Sequence, residues 1–144
     1  MSMEIGLRWV RASLRGYGGE PPSGAAFLDL LALEPEWVPR ATRSDSAWQS
    51  ANIELFVADM ADLQGYEEPA EEFAARVERG SLRAAEWLAS RPPGAFDLWR
   101  GQGREADVFL GGWLSNEQLD LAVPASFLMA CGRAGLPLRI CTND

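Results

Sequence analysis

Two hydrophobic periods alternate along this chain, and their order restricts the folds open to it. Five segments have the composition or the alternation of β-strands: 3–14, 47–57, 96–100, 108–113 and 136–140. Three segments have apolar residues at helical spacing: 23–34, 69–91 and 124–134. The predicted order is therefore β-α-β-α-β-β-α-β.

Glycine and proline separate these segments. Residues 16–22 and 92–94 are clear breaks, and the polar, proline-bearing stretch 35–46 is predicted to be a long connection. Gly135 stands where a left-handed helix C-cap would fall. We predict one α+β domain over residues 1–144, with a mixed or antiparallel sheet and helices packed on one face. A ferredoxin-like variant fits this order best.

Acidic residues are concentrated in one part of the chain. Residues 54–78 hold eight acids and one arginine, a net charge of −7, whereas the whole chain carries −8. Such an acidic segment on a small domain suits a basic partner. The candidate partner-binding residues are Asp59, Asp62, Glu67, Glu68, Glu71 and Glu72.

The four glutamates have a second explanation. Glu67 and Glu71, like Glu68 and Glu72, are spaced i,i+4 and complement the dipole at a helix start. A metal site or an acid/base pair is a further alternative. Asp59 and Asp62 lie in the connection after a strand, where no helix dipole accounts for them.

The basic residues exclude several chemistries. All 13 are arginine, and the chain has neither lysine nor histidine. Histidine base catalysis, histidine metal ligation, Schiff bases and a P-loop are therefore excluded. Cys131 and Cys141 are predicted to be buried thiols. We predict no catalytic residue, no metal ligand and no cofactor.

The acidic balance argues against binding to nucleic acid or to anionic membranes. The N-terminal residues lack the pattern of a signal peptide, which favours a cytoplasmic location.

The segment 101–106, Gly-Gln-Gly-Arg-Glu-Ala, matches the letters of the dinucleotide-binding fingerprint. That fingerprint must open a helix, but a strand-like segment follows here, which indicates a hairpin loop instead. Of the six tryptophans, Trp9, Trp87 and Trp99 are predicted to pack in the core. Trp37, Trp48 and Trp113 lie near loops, where one could anchor an interface, although burial is favoured for each.

The two ends of the chain resemble those of small bacterial α+β proteins of uncharacterised-domain type. The similar segments are 27–35, which ends at Glu-Pro, and 112–114, 119–124 and 127–138, which lead through a helix and a glycine-leucine turn into the last strand. Small acidic proteins of this kind look like immunity proteins of interbacterial toxin systems. The resemblance implies a fold and a partner class, and no catalytic residues.

Our leading hypothesis is a cytosolic, non-enzymatic immunity protein that blocks a basic surface or active site of a cognate toxin or another basic protein. One alternative is a homo-oligomeric structural or regulatory domain, such as a homodimer joined through loop tryptophans. Another is a carboxylate- or metal-dependent enzyme, which needs acids from distant segments to converge in a pocket.

Overall fold

A computed structural model describes residues 9–19, 23–43, 50–59, 70–113 and 122–142. Its strands are β1 (Trp9–Tyr17), β2 (Ala41–Arg43), β3 (Ser50–Asp59), β4 (Glu105–Trp113) and β5 (Leu138–Thr142). Its helices are α1 (Ser23–Leu31), α2 (Ala70–Ala89), α3 (Ala95–Gly101) and α4 (Ala125–Ala134), with a 3-10 helix at Pro35–Arg40.

The strands form one mixed sheet in the order β2-β3-β1-β4-β5. All neighbouring strands are antiparallel except β4 and β5, which are parallel and joined through α4. The α+β class with a mixed sheet is therefore confirmed, whereas the ferredoxin-like strand order is not.

The central strand β1 shows which face the helices cover. Val10, Ala12 and Leu14 are buried, while the residues between them are exposed or half-buried. Gly16 continues the buried set, and the ring of Phe27 on α1 lies where a Cβ of Gly16 would be. Burial of these apolar side chains away from water is the main free-energy contribution that holds the helices on this face.

A β-bulge in β3 keeps its apolar run on the buried face. Ala12 pairs with Phe56, but Ser13 pairs with Glu54, so Leu55 is an extra residue. After the bulge the alternation changes phase. Leu55 and Phe56 are therefore both buried, and Val57 is exposed.

The prediction of a strand at residues 96–100 is wrong, because this segment lies in helix α3. Phe96 and Trp99 are buried at i,i+3 spacing, while Asp97 and Leu98 between them are exposed. Segment 101–106 consequently joins a helix to β4 and is not a hairpin loop.

Other boundaries differ less. Part of the predicted 35–46 connection forms the 3-10 helix and β2. Within the described residues β1 begins at Trp9. The predicted left-handed cap at Gly135 is confirmed, with φ of 70°.

Helix α2 is continuous through Gly80. The missing side chain of this glycine allows the helix to approach β3 closely. A Cβ on Gly80 would lie 2.7 Å from both Cβ and Cγ of Phe56. Gly132 of α4, in contrast, has open space where its Cβ would be.

These two helical glycines give a matched pair of substitutions. We predict that Gly132→Ala raises the free energy of unfolding by about 0.5–1 kcal/mol through helix propensity. Gly80→Ala should lower it by about 1–3 kcal/mol, because overpacking outweighs the same gain in propensity. Urea denaturation of both variants measures the two signs, and stabilisation by Gly80→Ala would contradict the close packing of α2 on β3.

Candidate functional site

The predicted acidic site falls largely outside the described part of the chain. Asp62, Glu67 and Glu68 are outside the described residues, as are the side chains of Asp59, Glu71 and Glu72. Their backbones place Asp59 at the end of β3, and Glu71 and Glu72 in the first turn of α2. Their joint surface remains a prediction.

The sheet has a second face that none of the described helices covers. We call it the uncovered face, and it carries the outward-pointing residues of β1, β3 and β4. They include Arg11, Ser13, Arg15, Tyr17, Asn52, Glu54, Val57, Asp107 and Phe109. Glu54, at the start of the acidic segment, is half-buried here, 3.3 Å from Nε of Arg11.

A carboxylate lies at the centre of this face. Asp107 is the Cα partner of Arg15, whose Nε and Nη2 donate to Oδ1 and Oδ2 at 2.7 and 2.8 Å. The Tyr17 hydroxyl donates to Oδ2 at 3.0 Å, and Arg139 Nε from β5 lies 3.2 Å from the same oxygen. Asp107 is only 1% exposed, because these side chains lie over it. We call these four residues the Asp107 cluster.

The cluster fixes the charge of its members. Burial alone would raise the pKa of Asp107, but the hydrogen bonds from Arg15 and Tyr17, with the charges of Arg15 and Arg139, outweigh burial and lower it. The pKa of Arg15 is raised, first by its hydrogen bond to Asp107. The pKa of Tyr17 is raised by burial and then by Asp107. At neutral pH, two positive charges therefore face one negative charge.

Guanidinium groups also lie on the aromatic rings of this face. The Arg15 guanidinium carbon is 4.4 Å from the ring centre of Phe109, and that of Arg11 is 5.6 Å from Trp9. Both distances are typical of cation–π contacts. Phe109 and Trp9 thus contribute to holding arginines in place.

A groove of about 490 Å³ lies between α2, α3 and α4. Its lining includes Ala85, Ala89 and Ala130, with Arg91 and Arg133 as its basic residues. Arg91 is almost wholly buried and Arg133 is exposed.

Arg91 has a structural role. Its Nε donates to the Trp87 carbonyl at 3.0 Å, and its Nη1 to the carbonyls of Leu31 and Ala32 at 2.8 and 3.3 Å. Its Nη2 donates to Glu34 at 2.5 Å and to Ser90 Oγ at 3.0 Å.

These hydrogen bonds use all five N–H groups of a guanidinium. Arg91 thereby joins the ends of α1 and α2 and has no donor left for a ligand. The Arg91 hydrogen bond is also the first cause of the lowered pKa of Glu34.

Most of the described tryptophan side chains pack in the core. Trp87 and Trp99 are buried, as predicted, and Trp37 is buried too, with its ring centre 4.6 Å from that of Trp87. Trp9 is half-buried on the uncovered face rather than in the core, so the prediction for Trp9 is wrong. Trp48 and the Trp113 side chain lie outside the described residues.

The cysteines agree with their predicted role only in part. Cys131 is buried, and burial raises the pKa of its thiol to about 11, which makes it a weak nucleophile. Cys141 is half-buried.

Sequence reasoning missed the Asp107 cluster. An acid at the outward position of a strand normally contacts water, so Asp107 gave no separate signal. Asp107 lies between the apolar residues Ala106 and Val108, and this alternation indicates that it lies on the outward face of the strand. The alternation does not indicate which side chains bind its carboxylate.

Within the described residues there is no group of three or more acidic or cysteine side chains placed to hold a metal ion. The same residues contain no helix whose length and apolar character would suit a membrane span. Comparisons with family models, with curated proteins and with solved structures found no match for this chain.

We predict that Arg91→Lys lowers the free energy of unfolding by about 2–3 kcal/mol, because an ammonium group cannot serve the carbonyls and the carboxylate together. Arg133→Lys in the same groove is the control, with an expected change below about 0.5 kcal/mol. Urea denaturation compares the two, and equal effects would refute the structural role of Arg91.

Asp107→Asn keeps the shape of the side chain but removes its charge. At neutral pH it should cost about 1–3 kcal/mol of unfolding free energy. The exposed pair Asp97–Arg100 provides the control, because Asp97→Asn should cost less than about 1 kcal/mol.

The cost of Asp107→Asn should also depend on pH. The folded pKa of Asp107 is below its unfolded value of about 4, so its charge stabilises the fold above that pH. The contribution is lost as pH falls from there through the folded pKa. Denaturation between neutral and strongly acidic pH should show the two proteins converging, and a constant difference would contradict this assignment.

Proposed function

We propose that this chain is a cytoplasmic, non-enzymatic protein that binds and neutralises a basic toxin, in the manner of an immunity protein. The observation that carries the proposal is the concentration of acidic charge in residues 54–78 of an otherwise nearly neutral chain. A surface with this charge accelerates association with a basic partner and disfavours acidic ones.

The fold supports this use of the acidic segment. The segment starts on β3, whose Glu54 lies on the uncovered face, and continues into α2, where Glu78 is exposed. From Glu54 to Asp59, β3 is paired with β1, and α2 packs on β3 through Gly80 and Phe56. Both ends of the segment are therefore held by rigid elements, which reduces the entropy lost when a partner binds.

The uncovered face favours a protein partner over a single-stranded nucleic acid. Nucleic-acid-binding sheets use free aromatic rings as stacking platforms and a basic surface to bind phosphates. Here guanidinium groups already lie over Phe109 and Trp9, and the chain carries a net charge of −8.

Charge reversal at Glu68, Glu71 and Glu72 together tests the site. We expect the triple arginine variant to lose the partner that the unmodified protein retains from an extract of its native cells. The control reverses three exposed acids elsewhere, Asp29, Glu36 and Glu86, and so changes the net charge equally. It should retain the partner, and binding should weaken as ionic strength rises to about 1 M.

The captured protein then decides the function. Produced alone, it should arrest growth, and production together with this chain should restore growth, whereas the triple variant should not. A harmless partner would refute neutralisation, and equal retention by both triple variants would refute the location of the site.

A further inference from the structure

The Asp107 cluster holds more positive charge than its carboxylate requires. Arg15 alone occupies both oxygens of Asp107 and balances its charge. Arg139 adds a second guanidinium 3.2 Å from Oδ2, although its own side chain is 64% exposed. The cluster therefore carries a surplus of one positive charge on a protein of net charge −8.

Neither arginine uses all of its N–H groups on the described residues. A guanidinium has five N–H groups. Arg15 uses Nε and Nη2 on Asp107, and Arg139 approaches it with Nε. No acceptor among the described residues takes a hydrogen bond from Nη1 of Arg15 or from either Nη group of Arg139.

Neighbouring side chains limit the mobility of Arg15. Asp107 and the ring of Phe109, 4.4 Å from the guanidinium carbon, hold Arg15. Arg139 is the Cα partner of Phe109 across the β4–β5 pair, and its Nε lies 3.2 Å from Oδ2 of Asp107. Glu105, the nearest other acid on β4, pairs with Tyr17 on the opposite side of Asp107 from Phe109.

We propose that Arg15 and Arg139, held side by side by Asp107, form a binding site for an oxyanion on the uncovered face. The ligand group is a carboxylate or a phosphate, whose oxygens match the paired N–H donors of guanidinium groups. One negative charge neutralises the surplus of the cluster. This site is separate from the acidic segment and has the opposite charge.

Titration with inorganic phosphate and, separately, with acetate tests the proposal by following the arginine Nε–H signals in NMR spectra. We expect saturable shifts of the Arg15 and Arg139 signals with at least one anion, and none with chloride at equal ionic strength. Saturation by phosphate alone identifies a phosphate site, and saturation by acetate alone a carboxylate site. Saturation by neither anion would overturn the proposal.

Two variants separate a site from general electrostatic attraction. Arg139→Gln should weaken binding about tenfold or more, because charge-assisted hydrogen bonds are lost. Arg11→Gln removes the same charge from the same face, outside the cluster, and should leave binding unchanged. Equal loss in both variants would overturn the proposal, and thermal melts confirm that both are folded.

Discussion

One buried guanidinium joins the ends of α1 and α2 to the start of the 3-10 helix. Arg91 uses its donors on the last carbonyls of α1, on a carbonyl of α2 and on Glu34, which begins the path into the 3-10 helix. Burial of an arginine is tolerated because each N–H group replaces its water partner with a protein acceptor. The Trp87 and Trp37 rings stack beside it, and Arg40 closes the stack at 4.4 Å from Trp37. The 3-10 helix that leads into β2 is therefore held in place by Arg91, which lies more than 40 residues further along the chain.

The two main ion-pair clusters solve the same problem in opposite ways. Around Arg91, a buried cation has a half-exposed carboxylate as its partner. Around Asp107, a buried carboxylate has two arginines that reach water. In the first cluster every donor is used within the protein, which suits a structural role. In the second, both arginines have N–H groups that no described acceptor uses, which suits a binding role.

The sequence predicted most elements because local patterns specify them. The Gly135 cap and the helical stripe of α2 needed no tertiary information. The strand prediction for residues 96–100 failed because so short a segment fits both the helical and the strand period of apolar residues. Tertiary contacts decide between the two conformations. The ring centre of Trp99 lies 4.8 Å from that of Phe27, and Nε1 of Trp99 donates to the Glu105 carbonyl at 2.7 Å.

The site was harder to predict than the fold. The bulge at Leu55 exists only through pairing with β1, and Asp107 meets Arg139 only through the parallel pairing of β4 with β5. Neither pairing leaves a local signal in the sequence. The acidic segment was visible as composition, but composition does not give the arrangement of its side chains.

The central position of β1 has a consequence for how the chain folds during synthesis. β1 leaves the ribosome before the other strands, yet Trp9 pairs with Asp59 on one side and with Trp113 on the other. Pairings between such distant residues slow folding, because closing the long loop between them costs conformational entropy before the contacts compensate for it. The second edge of β1 stays unpaired until β4 has been synthesised. Until β4 has left the ribosome and paired, β1 therefore presents an open edge to other chains.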